Sequence, residues 1–120
     1  MSTPPVETWW ELPSSDLDVS ARFYRDVFGW DAESMGDDYR ILKLDDAMIG
    51  GLFAKDAGEI GAGIQLMIGV ADLEATLARI EAAGGTVTQA RTEIGNDFGW
   101  WAEFREPGGL TLGLSSMNPE

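Results

Sequence analysis

The chain reads as an α+β protein. Two copies of a βαβββ unit are expected to form a curved, mostly antiparallel sheet with helices on the outer face. Three observations lead there. Leu12-Pro13-Ser14-Ser15-Asp16-Leu17 opens a strand-to-helix passage that closes at Phe28-Gly29-Trp30, and Ile68-Gly69-Val70-Ala71-Asp72-Leu73 opens a second that closes at Ala83-Gly84-Gly85. Asp16 aligns with Asp72, Leu17 with Leu73, and Gly29 with Gly85. After each helix come three segments of strand character, separated by turn residues. With 120 residues and 44% apolar content, the chain suits one domain over residues 1–120, with repeat 1 near 7–53 and repeat 2 near 63–115.

Residues 1–5 hold two prolines and no periodicity, so they read as a loose tail. Thr8-Trp9-Trp10-Glu11-Leu12 is rich in aromatics and reads as a strand stopped by Pro13. Asp16 is placed to accept the first free amides of a helix running to Phe28. Leu17, Ala21, Tyr24 and Phe28 fall on one face of it with Phe23 and Val27, while Asp18, Arg22, Arg25 and Asp26 point away. Gly29 supplies the left-handed residue that ends the helix. Residues 30–34 look extended, and 39–44 with 47–53 form a hairpin about Asp45-Asp46. A polar link covers 54–63. Residues 64–70 make the next strand, Asp72 caps a helix with a Leu73, Leu77, Ile80 seam, and Gly84-Gly85 ends it. Residues 86–90, 98–105 and 110–114 are the closing strands, the last two joined across Glu106-Pro107-Gly108-Gly109.

Charge excludes several partners. Acidic residues outnumber basic ones 21 to 8, a formal net of −13, and nucleic-acid affinity is largely electrostatic, so DNA and RNA are not expected partners. Anionic membrane surfaces are disfavoured for the same reason, whereas small cations are concentrated near such a chain. Solubility alone also explains an acidic surface, and both explanations stay open. The apolar runs fall short of the ~20 residues that a membrane span needs. Residues 1–5 lack the basic start and apolar run of a secretory signal, which makes a cytoplasmic address the default, and the lack of cysteine fits it.

In order and spacing, these pieces resemble the vicinal oxygen chelate superfamily, the glyoxalase/bleomycin-resistance/dioxygenase fold. The likeness rests on Trp10-Glu11-Leu12-Pro13 with Asp16-Leu17, and on Phe23-Tyr24 with Val27-Phe28-Gly29-Trp30. Val70 with Asp72-Leu73, Ile80 through Gly85, and Arg105 through Gly109 continue it, across about residues 7–115. The resemblance implies a site inside the curved sheet, where enzymes of the family hold a divalent metal with His, Glu or Gln. Carried over by motif spacing, those ligand positions fall at Trp9, at Gly50 or Gly51, at Gln65 and at Gly113. With no histidine and no cysteine in the chain, only Gln65 offers a donor, so no metal site and no cofactor is expected.

Alternation along the strands, in the setting that the resemblance supplies, sends Trp9, Glu11, Gln65, Met67, Trp101, Glu103, Arg105 and Thr111 to the cleft. Flat aromatic walls with a few polar groups suit a ligand pocket, and indole faces attract cations and stack on planar rings. Two alternatives stay open: the tryptophans plug a small barrel, or Glu103 and Arg105 merely bridge each other. Glu11 or Glu103 could serve as a general base if burial raised its pKa. The expected function is metal-free binding of a flat, in some cases cationic, small molecule, similar to the antibiotic-sequestering members of the family, by a homodimer that the resemblance implies. Two rivals are a glyoxalase-like enzyme using a cleft carboxylate or an oxygen-ligated ion, and a non-catalytic interaction subunit with a filled cleft.

Overall fold

The structure is a computed structural model that describes residues 9–61 and 66–119. Repeat 1 comprises β1 (Glu11–Ser14), α1 (Leu17–Phe28), β2 (Asp31–Ser34), β3 (Tyr39–Leu44) and β4 (Ala47–Ala54). Repeat 2 comprises β5 (Met67–Gly69), α2 (Leu73–Ala82), β6 (Thr86–Glu93), β7 (Trp100–Arg105) and β8 (Thr111–Ser116), after a short 3₁₀ turn at Ala57–Glu59. Each repeat forms its own four-stranded sheet, ordered β1-β4-β3-β2 and β5-β8-β7-β6. First and last strands run parallel in each, β1 with β4 and β5 with β8, and the remaining pairs are antiparallel. The duplicated α+β plan is therefore present as two curved sheets that do not close into a barrel.

Local chemistry sets the helices. The Asp16 carboxylate accepts the Val19 amide at 3.2 Å, and Asp72 accepts that of Ala75 at 3.0 Å, each filling a donor left open by the first turn. Gly29 ends α1 at φ 76°, a conformation costly for any residue with a Cβ. Phe23 and Tyr24 of α1 and Leu73 and Ile80 of α2 are buried against Leu42 and Leu52 from one sheet and Ala102, Phe104, Leu112 and Leu114 from the other. Each helix packs mainly on its own sheet, and ring contacts also cross the repeats, with Phe23 at 5.9 Å and Phe28 at 6.1 Å from Phe104.

Several boundaries differ from the sequence expectation. The first strand does not stop at Pro13 but runs through it to Ser14. It lies at the sheet edge, where Trp10 and Ser14 carbonyls accept from Gly51 and Lys55 in the β4 direction, so the missing Pro13 amide faces the open side. Strand β6 continues past Ala90 to Glu93 by shifting register twice against β7. Part of the expected 64–70 strand, including Gln65, lies outside the described residues. Ser20, unremarkable on the helical wheel, is fully buried.

Candidate functional site

Directly paired residues share one face of a sheet, so register identifies the rows that line the face opposite the helices. In sheet one a row runs Glu11, Gly51, Ile41, Glu33, while Leu12 and Leu52 in the next row are buried in the core. In sheet two the matching row is Met67, Gly113, Glu103, Gln89, flanked by Trp101 with Thr92 and by Arg105 with Thr111. On β7 the intervening Ala102 and Phe104 are fully buried. Trp101, Glu103 and Arg105 thus share one face; Glu11 takes the corresponding face of the first sheet, and Trp9 lies just before β1.

Trp9 and Glu11 are joined by a residue that the sequence reading passed over. The Trp9 indole N–H donates to the Tyr39 hydroxyl at 3.0 Å, and that hydroxyl donates to Glu11 Oε2 at 2.7 Å. Glycine at position 51 makes the arrangement feasible, because a Cβ there would overlap the Tyr39 hydroxyl. Burial, then the Glu11 hydrogen bond, raises the Tyr39 pKa above its ordinary value despite the opposing Trp9 contact, so the phenol keeps its proton. No basic side chain reaches Glu11 among the described residues, and its Oε1 has no partner there. Glu33, in the same row, is instead paired with Lys43 at 3.2 Å. Trp9 is 48% exposed, too open to act as a barrel plug.

On the second sheet, Glu103 Oε1 accepts from the Thr88 hydroxyl at 2.8 Å. Arg105 pairs in register with Thr111 and makes no ion pair among the described residues, so it does not bridge to Glu103. Met67 is exposed at the β5 edge, and Gln65 lies outside the described residues. The structure therefore groups the named residues in two sets, one per sheet. Tyr39 and Thr88 were the residues missed. Tyr39 sits in the expected hairpin opposite Phe53, but the register slips by one residue between Leu42 and Lys43, so counting back from Asp45-Asp46 would have set it opposite Leu52 and on the wrong face.

A divalent ion fits these residues poorly. An indole N–H is a donor with no lone pair to offer, and the space over Gly51 is taken by the Tyr39 hydroxyl. Among the described residues no three of Asp, Glu, His or Cys converge. Metal sites of the imidazole or multi-carboxylate kind need such convergence.

Two βαβββ units, each contributing a four-stranded sheet backed by one helix, define the fold class. The chain belongs to the Glyoxalase/Bleomycin resistance protein/Dioxygenase superfamily, whose family model matches residues 8–114. It is 30% identical over 116 residues to CFP32 of Mycobacterium tuberculosis and of Mycobacterium bovis, a protein that carries a glyoxylase name. That match covers 93% of this chain but only 44% of the curated relatives' length. Among solved structures, the fosfomycin resistance protein FosX of Listeria monocytogenes superposes with a TM-score of 0.76 at 11% identity, covering 95% of this chain and 94% of that one. Lactoylglutathione lyase of Agrobacterium tumefaciens gives 0.64 at 22% identity, covering 95% and 96%. At such identities the likeness is one of fold.

Proposed function

We propose that this protein binds a flat small molecule, cationic ones included, on its concave face and does so without a metal ion. The observation that carries this reading is the Trp9–Tyr39–Glu11 chain, an aromatic pair and a carboxylate set where the family places a metal ligand. Trp101 and Glu103 on the second sheet supply a further aromatic and a further carboxylate. Pockets of this make-up hold planar ligands by stacking and orient them with few polar contacts. The metal-free part is supported by the donor set, in which tryptophan and glycine stand where imidazole or carboxylate would be needed. A homodimer and a cytoplasmic address belong to the same proposal, drawn from the family resemblance and the cysteine-free composition.

The experiment is a titration of planar compounds followed by tryptophan fluorescence, alongside metal analysis of the purified protein. Trp9→Phe and Trp101→Phe should each diminish the quench. Silence across a broad panel of planar compounds sinks the binding reading. A stoichiometric divalent ion would overturn the metal-free part and favour the enzymatic rival, with Glu11 or Glu103 as the base.

A further inference from the structure

We infer that Trp9, Tyr39 and Glu11 form a subsite for the charged end of a flat organic cation; the inference rests on the binding function proposed above. Glu11 is oriented by a neutral donor, the Tyr39 hydroxyl at 2.7 Å, and among the described residues no cation stands beside it. This distinguishes it from Glu33, whose charge is met by Lys43 at 3.2 Å. Oxygen Oε1 of Glu11 remains open among the described residues, while Oε2 carries the contact that orients the group. Tyr39 stands beside it, and the hydrogen bond from Trp9 to Tyr39, at 3.0 Å, holds a second aromatic side chain next to the first. Aromatic rings around a carboxylate are the recognised environment for an organic cation, which gains from ring quadrupole and opposite charge together. Because Tyr39 donates to Glu11, its phenol also narrows the range of orientations open to that carboxylate. The net charge of −13 raises the local concentration of any cation approaching the face.

The test uses two flat bicyclic probes on the full chain: N-methylquinolinium, permanently charged, and quinoline, neutral at pH about 7.5. Calorimetry should give about tenfold tighter binding of the cation, the scale expected of a partly exposed cation–π site aided by a carboxylate. Glu11→Gln should reduce binding of the cation to the quinoline level and leave quinoline unchanged. Tyr39→Phe should weaken the cation by a smaller factor, since the carboxylate stays but is no longer fixed. Glu81→Gln, which removes the same charge from the exposed outer helix, should change neither affinity. Added salt should weaken the cation alone. Equal binding of both probes, or an unaltered cation affinity in Glu11→Gln, overturns the inference while the broader binding function stands. If neither probe nor any other planar compound binds the wild type, both fall. Glu11 is exposed, so its substitution leaves the core intact, and a thermal melt verifies that the variant is folded.

Discussion

The Tyr24 hydroxyl donates to Glu106 Oε2 at 3.0 Å across 82 residues of sequence, joining the helix of repeat 1 to the last hairpin of repeat 2. Both residues are buried, Tyr24 at 0% exposure and Glu106 at 1%. The other Glu106 oxygen accepts from Ser20 at 3.0 Å and from the Gly108 amide, while Ser14 and Ser20 share a hydrogen bond. Such a carboxylate is tolerable only because donors surround it, and each donor removed leaves buried charge undersatisfied. Tyr24→Phe should therefore lower stability by about 1–3 kcal/mol. Glu106→Ala should lower it further, since it orphans several donors at once and opens a hole. Urea denaturation midpoints provide the comparison, and a Tyr24→Phe variant as stable as wild type would contradict the account.

Protonation of the same group predicts a pH trend. Burial pushes the Glu106 carboxyl above its ordinary 4.5, with Ser20, Tyr24 and Gly108 hydrogen bonds pulling back less strongly. A carboxyl whose folded pKa is raised binds its proton more tightly in the native state. Its contribution is thus fully present below the unfolded value and lost as pH rises through the folded one. Glu106→Gln keeps the shape and removes the titration. Stability measured from about pH 4 to about pH 7 should therefore fall more in wild type than in Glu106→Gln, global charge effects being nearly common to both. A constant difference between the two across that range would refute this.

The pieces that were legible in the sequence are those set by local chemistry. Asp16, Gly29, Asp72 and the Asp45-Asp46 turn act within a few residues of themselves, and the structure has them in the expected roles. Alternation also separated Trp101, Glu103 and Arg105 from Ala102 and Phe104, because a strand with one buried face has only two ways to point. What escaped depends on distant partners. Ser20 and Glu106 look like ordinary surface polar residues until the fold brings them together 86 positions apart. Tyr39 became a site residue through register across β3 and β4 and through an empty glycine, neither of which periodicity alone reports. Pro13 misled because the edge position of β1, which makes a proline harmless there, is a tertiary property.

The β3–β4 turn offers a stabilising change. Asp45 and Asp46 both adopt positive φ, 50° and 69°, the pattern of a type I′ hairpin turn. Asn-Gly occupies that geometry with less strain than two adjacent aspartates, whose charges also repel. Asp45→Asn with Asp46→Gly should raise stability by about 0.5–1 kcal/mol without touching the concave face. A melting temperature unchanged or lower in the double variant would show that this turn carries no such strain.

Gly51 separates folding from binding. A Cβ at this position would meet the Tyr39 hydroxyl and ring carbon, so Gly51→Ala must displace the tyrosine from Glu11. Overpacking of this sort destabilises by about 1–3 kcal/mol. Removing the hydroxyl in Tyr39→Phe relieves the closest of these overlaps, so alanine at 51 should cost less in that background than in wild type. Such non-additivity is expected when two sites share one contact, on the order of 0.5 kcal/mol or more. Binding of a planar cation should weaken in either single variant and weaken little further in the double, since both act by freeing the Glu11 carboxylate. Chemical denaturation and calorimetry on the four proteins of the cycle measure both couplings. Strict additivity in stability would show that the glycine and the tyrosine do not compete for the same space, and additive losses in affinity would show that Tyr39 does not act through Glu11.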